Sequence, residues 1–210
     1  MNNLNFDKLE ATPLQTDPYD HILLPEFVDG LRIDDLIANF PKITGPGSHP
    51  LASIRINEQF RSLITDMESD RFREVIEDKF DLDLAGKPTM VTIRGNCRPR
   101  DGSIHTDSLS KIITVLLYLN HSWDKGGGRL RILRNGTDLN DFAAEVPPDN
   151  GALLVFRRSE NSWHGHEPFG GKRQMLQMNW MVSEQAMKSE VRRHRFSSWL
   201  KRLNPLNAFG

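Results

Sequence analysis

The feature that most restricts this chain is the run Ile104–Asn120, IHTDSLSKIITVLLYLN, in which a His105-Thr106-Asp107 unit leads into the most strand-like stretch of the sequence. On an extended segment, residues two apart point to the same face. An imidazole nitrogen of His105 and a carboxylate oxygen of Asp107 can therefore converge on one ion. With a more distant histidine they make the two-His-one-carboxylate facial set, which holds Fe(II) from one side and leaves the opposite positions open. One His-x-Asp unit is weak evidence taken singly, because Asp107 capping a local backbone N–H is the ordinary alternative. It is, however, the sole His-x-Asp among the 7 histidines of the chain.

The 210 residues, 38% of them hydrophobic, suffice for one sizeable core and suit one domain better than two. A net charge of -1 supplies no global drive toward nucleic acid or an anionic membrane, so no nucleic-acid partner is expected. The single cysteine, Cys97, excludes an internal disulfide framework and a thiolate zinc cluster and fits a reducing compartment. The start MNNLNFDKLEATPLQTD lacks a basic region followed by an apolar one, and no later run nears the roughly 20 apolar residues of a membrane span. The expectation is a cytoplasmic protein without a transmembrane segment.

Residues 1 to about 20 are polar and broken by proline, and read as an arm or a first edge strand. The spacing of Phe27, Val28, Leu31, Leu36, Ile37 and Phe40 predicts a helix over Pro25–Phe40. The segment ITGPGSHP, Ile43–Pro50, reads as a loop. Asn57–Phe80 is predicted helical, with a break around Ser69-Asp70. From Pro88 the texture changes to short β-rich runs bounded by Gly, Pro, Asn and Asp: Thr89–Arg94, Lys111–Asn120, Arg129–Leu133, Gly151–Arg157, Ser162–Gly165 and Arg173–Val182. Such a series argues for an antiparallel barrel or sandwich, and a jelly roll, or double-stranded β-helix, is the member that takes metals inside it. The expected class is mainly β with flanking helices: one domain over 1–210, with a helical part (1–87), a jelly-roll core (88–183) and a basic helix and tail (184–210). No internal repeat or low-complexity segment is present.

The companion for His105 and Asp107 lies in Asn161–Arg173, NSWHGHEPFGGKR, where His164 and His166 are both candidates and share a face on an extended segment. Arg173, Met175, Gln177 and Asn179 share one face of the last strand, with no acidic residue on it. A guanidinium turned inward there needs a partner, and a dicarboxylate ligand supplies one through the bidentate fork. Thr114, Leu116 and Tyr118 share a face of the central strand and offer two hydroxyls for the same carboxylate, although ordinary core roles fit each taken singly.

Together these pieces resemble the Fe(II)/2-oxoglutarate-dependent dioxygenase superfamily in its prolyl-hydroxylase-like branch. The resemblance rests on Tyr118-Leu119-Asn120 followed by Ser122-Trp123, on Gly127-Gly128-x-Leu130-Arg131-Ile132, and on a histidine followed by Pro168 and Arg173 at spacings that suit His164 better than His166. It covers about Pro88 to Val182. It implies that His105, Asp107 and His164 ligate Fe(II), that Arg173 pairs with the distal carboxylate of 2-oxoglutarate, and that Tyr118 and Thr114 are hydrogen-bond partners. It further implies O2 as co-reactant, succinate and CO2 as products, hydroxylation as the outcome, and ascorbate as an admissible accessory reductant. Retention of Asp107 argues against halogenation, since a halide would need that coordination position. Where animal-type relatives tend to place a tyrosine before the His-x-Asp unit, this chain has Arg94, so the substrate is not carried over.

Two rival readings need the same fold. A cupin-type metal enzyme would have no use for a carboxylate-binding Arg173, and a non-catalytic binding or sensor module would be favoured by a missing ligand, of which there is none. The cation-dense surroundings of the inferred metal (Arg94, Arg98, Arg100, Lys111, Arg129, Arg131) frame an anionic substrate, a small molecule or a peptide, with Arg94 and Arg98 at the entrance. A solvated surface, with Arg131 paired to Glu145, accounts for them equally well. The tail KSEVRRHRFSSWLKRL combines six Lys/Arg with Phe196, Trp199, Leu200 and Leu203, the pattern of a capping helix or of a helix for a membrane surface or partner.

Overall fold

A computed structural model of the protein describes residues 4–43 and 45–203, with side chains described through Arg193. Helices α1 (Phe6–Ala11), α2 (Gly30–Ala38), α3 (Glu58–Met67) and α4 (Asp70–Phe80) precede most of the strands, and α5 (Glu184–Leu203) follows them. The strands are β1 (His21–Leu24), β2 (His49–Pro50), β3 (Thr89–Cys97), β4 (Lys111–Tyr118), β5 (Leu130–Leu133), β6 (Phe142–Val146), β7 (Leu153–Arg157), β8 (His164–Gly165) and β9 (Gly171–Met181). They form a six-stranded sheet in the order β1-β7-β4-β9-β3-β2 and a three-stranded sheet in the order β6-β5-β8. Every neighbouring pair is antiparallel.

Period-two alternation gives the large sheet two different faces. Ile93, Ile113, Val115, Leu117, Val155, Leu176, Met178 and Trp180 turn outward and join one buried cluster with Phe60, Leu63, Ile64, Met67, Phe72, Val75 and Ile76 of α3 and α4. Phe72 stacks on Trp180 with ring centroids 5.9 Å apart. Opposite pairs Thr114↔Asn179, Leu116↔Gln177 and Tyr118↔Met175, with Met175↔Arg94 beyond, set the inner face, which is mixed and polar. That face meets Leu130, Ile132 and Val146 of the small sheet in a second cluster. A wall that is wholly apolar would have been sealed; this one leaves a cavity.

The helices begin where sequence chemistry provides caps: the side chains of Asn5, Asp29, Asn57 and Ser69 accept backbone N–H groups of the first turn. The expected break at Ser69-Asp70 is the junction of α3 and α4. Three expectations shift. Residues 6–11 form a helix rather than an arm or an edge strand, anchored by buried Phe6 and Leu9, a two-residue apolar signal too short to register as periodic. The helix expected from Pro25 starts at Gly30, because Asp29 caps it, and leaves Leu31 92% exposed. Strands β1, β2 and β6 were not anticipated at their positions; β1 is four residues long, β2 is two, and β6 has few buried positions and so no alternation to read. No helix among the described residues is long and apolar enough to cross a membrane. Phe196, Trp199, Leu200 and Leu203 lie outside the residues whose side chains are described.

Candidate active site

His105, just before β4, and His164, opening β8, face each other as an isolated antiparallel bridge. Each backbone N–H donates to the other's carbonyl at 3.0 Å, which fixes the two imidazoles side by side with centroids 4.4 Å apart. Asp107 follows two residues after His105, on the same side as the extended geometry requires. Nitrogen atoms of both histidines and an oxygen of Asp107 lie within 4.8 Å of one another.

The donor atoms are arranged as a metal needs them. Nδ1 of His105 lies 2.8 Å from the Ser103 carbonyl and Nδ1 of His164 lies 2.9 Å from the Ser162 carbonyl. A carbonyl only accepts, so Nδ1 carries the proton in each neutral ring and Nε2 keeps its lone pair. Burial, with the nearby charges of His105 and Lys111 adding to it, pushes the pKa of His164 down to about 4 against the pull of Asp107, so the ring is neutral at pH 7. For Asp107, burial works against ionisation, but the Lys111 ammonium, His164 and the hydrogen bonds from Lys111 and Thr114 outweigh it and hold the carboxyl well below the usual range. Two imidazoles and one ionised carboxylate, converging from one side, fit Fe(II).

Behind Asp107 runs a chain of hydrogen bonds along the inner face of the sheet. Gln177 Nε2 donates to Asn179 Oδ1 at 3.0 Å, Asn179 Nδ2 to Thr114 Oγ1 at 2.8 Å, and Thr114 Oγ1 to Asp107 Oδ2 at 2.5 Å. Lys111 Nζ donates to the other carboxylate oxygen at 2.7 Å. The pairing of β4 with β9 shifts register between Lys111 and Ile113, and Lys111 sits beside Asp107 instead of on a solvated surface. Phe156 packs on the His164 ring, with centroids 4.9 Å apart.

The three donors line a cavity of about 450 Å³ with Thr114, Tyr118, His166, Arg94 and Arg173. Arg173 is 2% exposed; its Nε donates to the Gly128 carbonyl at 2.8 Å and its Nη2 reaches the Tyr118 hydroxyl at 3.3 Å. Among the described residues no carboxylate pairs with it. Gly128, at φ 74, packs so closely on Trp123 and Phe169 that a Cβ would lie 3.0 Å from each, and this brings its carbonyl to Arg173. A buried, uncompensated guanidinium facing a cavity suits a small carboxylate ligand.

Of the expected site residues, His105, Asp107, His164, Arg173, Tyr118, Thr114 and Arg94 come together. Thr114 shares the cavity-lining face with Tyr118, and its hydroxyl is engaged by Asp107 and Asn179. Arg98 parts from Arg94. Both its Nε and Nη2 are bound to Asp101, and it is absent from the cavity lining, so the entrance role expected of it does not suit its position. His166 reaches the cavity at a distance from the cluster, its ring against Gly102, where a Cβ would come within 2.3 Å of it. Burial, aided by Arg173 and Arg94, lowers its pKa to about 4. Arg131 pairs with Glu145 at 2.8 Å, as anticipated, and with Glu167. Sequence reasoning missed Lys111 as a partner of Asp107 and Asn179 as a partner of Thr114. Asn179 was legible as an inward position opposite Thr114 once the two strands were aligned, whereas Lys111 depended on a register irregularity. It also missed Glu190 of α5, which accepts from the hydroxyls of Ser108 and Ser110 just after Asp107.

Residues 96–182 match the family model described as the 2OG-Fe(II) oxygenase superfamily. Curated protein sequences return no match. Among solved structures the chain is similar to a prolyl-4-hydroxylase of Pseudomonas putida, at 20% identity and a TM-score of 0.54 over 84% of this chain and 88% of that one. It is also similar to the viral collagen prolyl hydroxylase of Paramecium bursaria Chlorella virus-1, at 13% identity and a TM-score of 0.55 over 78% and 96%. A 2OG-Fe(II) oxygenase-family oxidoreductase of Burkholderia pseudomallei matches at 14% identity and a TM-score of 0.52 over 84% and 90%. At these identities the likeness speaks for a shared fold. The stretch matched by the 2OG-Fe(II) oxygenase superfamily model, residues 96–182, contains His105, Asp107, His164 and Arg173.

Proposed function

We propose that the protein is an Fe(II)- and 2-oxoglutarate-dependent hydroxylase built on a jelly-roll core, in which His105, Asp107 and His164 hold the iron and Arg173, with Tyr118, holds the distal carboxylate of 2-oxoglutarate. The observation that carries this reading is the pairing, in one cavity, of three convergent donors with a buried guanidinium that has no carboxylate partner among the described residues. A cupin-type metal enzyme would have no need of that guanidinium. When bound, the iron and 2-oxoglutarate supply an oxidation in which O2 and 2-oxoglutarate yield succinate, CO2 and one oxygen atom inserted into a substrate C–H bond.

The chain's own contribution is placement. The carbonyls of Ser103 and Ser162 fix the tautomers of the two histidines. Thr114, held by Asn179, orients Asp107 instead of holding the cosubstrate, and Lys111 is the main group that keeps the carboxylate ionised. The Gly128 carbonyl aims the Arg173 fork at a ligand in the cavity. Similarity to prolyl hydroxylases favours a residue in a peptide or protein as the accepting group, although fold fixes chemistry better than target. The test is succinate release from 2-oxoglutarate by purified protein without added substrate. It is expected to require Fe(II) and O2 and to vanish in His164→Ala. Iron-loaded protein that releases no succinate above the metal-free blank would count against the reading.

A further inference from the structure

We propose that Arg94 binds an anionic group, a carboxylate or a phosphate, of the molecule that is hydroxylated; this rests on the hydroxylase reading and adds to it the chemical class of the substrate. The cations lining the cavity are Arg94, Lys111, Arg173 and Arg193. Lys111 is paired with Asp107 and Arg193 with Glu190. Arg173 is matched by the cosubstrate's distal carboxylate. Arg94 is left over.

Its surroundings leave the charge poorly met. Nη2 donates to Ser48 Oγ at 3.1 Å, Nη1 meets the Cys97 thiol at 3.8 Å, and Nε is buried without a hydrogen-bond partner. Among the described residues no carboxylate lies within ion-pair distance of it. Asp101 feels the Arg94 charge through space, but both of its oxygens are engaged by Arg98 and neither hydrogen-bonds Arg94. A thiol and a hydroxyl are weak compensation for a half-buried guanidinium, and an anion completes the set. The Ser48 hydroxyl, which accepts from Arg94, keeps its own proton free to donate to the same anion.

Position separates this group from the cosubstrate's arginine. Arg94 lies opposite Met175, and Met175 opposite Tyr118, so Arg94 and Tyr118 stand on strands either side of β9 in one cross-strand row. Two strand spacings put them roughly 9–10 Å apart. Arg173 shares its ligand with Tyr118 on the β4 side, whereas Arg94 leans toward Ser48 and the edge strand β2. An anion at Arg94 would anchor one end of a substrate at the edge-strand side of the cavity while another part reaches His105, Asp107 and His164.

Calorimetry on protein loaded with Mn(II), which fills the metal site without turnover, and with saturating 2-oxoglutarate, which occupies Arg173, tests this. Inorganic phosphate and acetate are titrated separately. One phosphate or one acetate is expected to bind per chain, the tighter of the two naming the group. Arg94→Gln is expected to weaken that binding by about tenfold or more, since a charge-assisted hydrogen bond is lost, and Arg94→Lys to recover part of it. A separate titration of 2-oxoglutarate into the Mn(II) protein is expected to give the same Kd for wild type and Arg94→Gln. The proposal is overturned by absence of phosphate and acetate binding in wild type, by equal binding in Arg94→Gln, or by a tenfold loss of 2-oxoglutarate affinity in that variant, which would assign Arg94 to the cosubstrate. Failure of wild type to bind 2-oxoglutarate at all strikes instead at the hydroxylase reading.

Discussion

Thr114 donates a 2.5 Å hydrogen bond to Asp107, and the donor is itself locked by Asn179 on the neighbouring strand. The carboxylate is therefore oriented by a chain of three hydrogen bonds that begins at Gln177 on β9. Partners of this kind are worth about 10–100-fold in metal affinity. Thr114→Val, which keeps the shape and removes the hydroxyl, is expected to weaken Fe(II) binding by that factor in a metal titration. An unchanged Kd would mean that Lys111 orients Asp107 without help.

The two histidines of β8 and its exit are separable. His164→Ala removes a convergent donor and is expected to abolish stoichiometric iron binding. His166→Ala leaves the His105, Asp107 and His164 cluster intact and is expected to bind iron within a few-fold of wild type. The opposite pattern in equilibrium dialysis would move the third ligand to His166.

Stability of the metal-free protein should fall in mildly acidic solution. His164 and His166 are both held near 4 in the folded state, chiefly by burial, against an ordinary value of 6.5. Between those limits the unfolded chain binds the more protons, so stability is full above about pH 6.5 and is lost as pH falls toward 4. Each kcal/mol lost lowers Tm by about 2–4 °C in a chain of this size. A Tm that is flat from pH 7 to pH 4.5 in EDTA-treated protein would contradict the buried, neutral imidazoles.

The helical layer holds the sheet through Phe72, which is fully buried against Trp180, Phe6 and Phe27. Phe72→Ala is expected to cost about 3–5 kcal/mol from lost burial and the cavity left behind. Urea unfolding followed by fluorescence measures it. A cost below about 1 kcal/mol would place the helices outside the cooperative core.

Much of this was readable in advance, and the reasons differ between elements. The break between α3 and α4 showed because Ser69 caps the second helix while apolar spacing restarts in register. The inner face of β4 and β9 showed because both strands are long, so Thr114, Tyr118 and Arg173 could be placed by parity alone. Thr114's actual partner did not show, since parity gives a face and not a neighbour; the antiparallel register that sets Asn179 opposite Thr114 comes from pairing across distant sequence. Lys111 broke parity through a register shift, and Arg98 was lost to Asp101 by a local turn, neither of which composition or spacing records. Glu190 reached the loop after Asp107 only by way of the docking of α5.

The central claim is that one cavity holds an iron site and a carboxylate site built around Arg173. Calorimetric titration of 2-oxoglutarate into Fe(II)-loaded protein with oxygen excluded tests it most directly, with Arg173→Ala alongside. The account predicts one 2-oxoglutarate per chain for wild type. For Arg173→Ala it predicts retained iron and an affinity lower by about 10–150-fold, the equivalent of about 1.5–3 kcal/mol for a charge-assisted hydrogen bond. Equal affinity in the two proteins, or no 2-oxoglutarate binding by iron-loaded wild type, would contradict it.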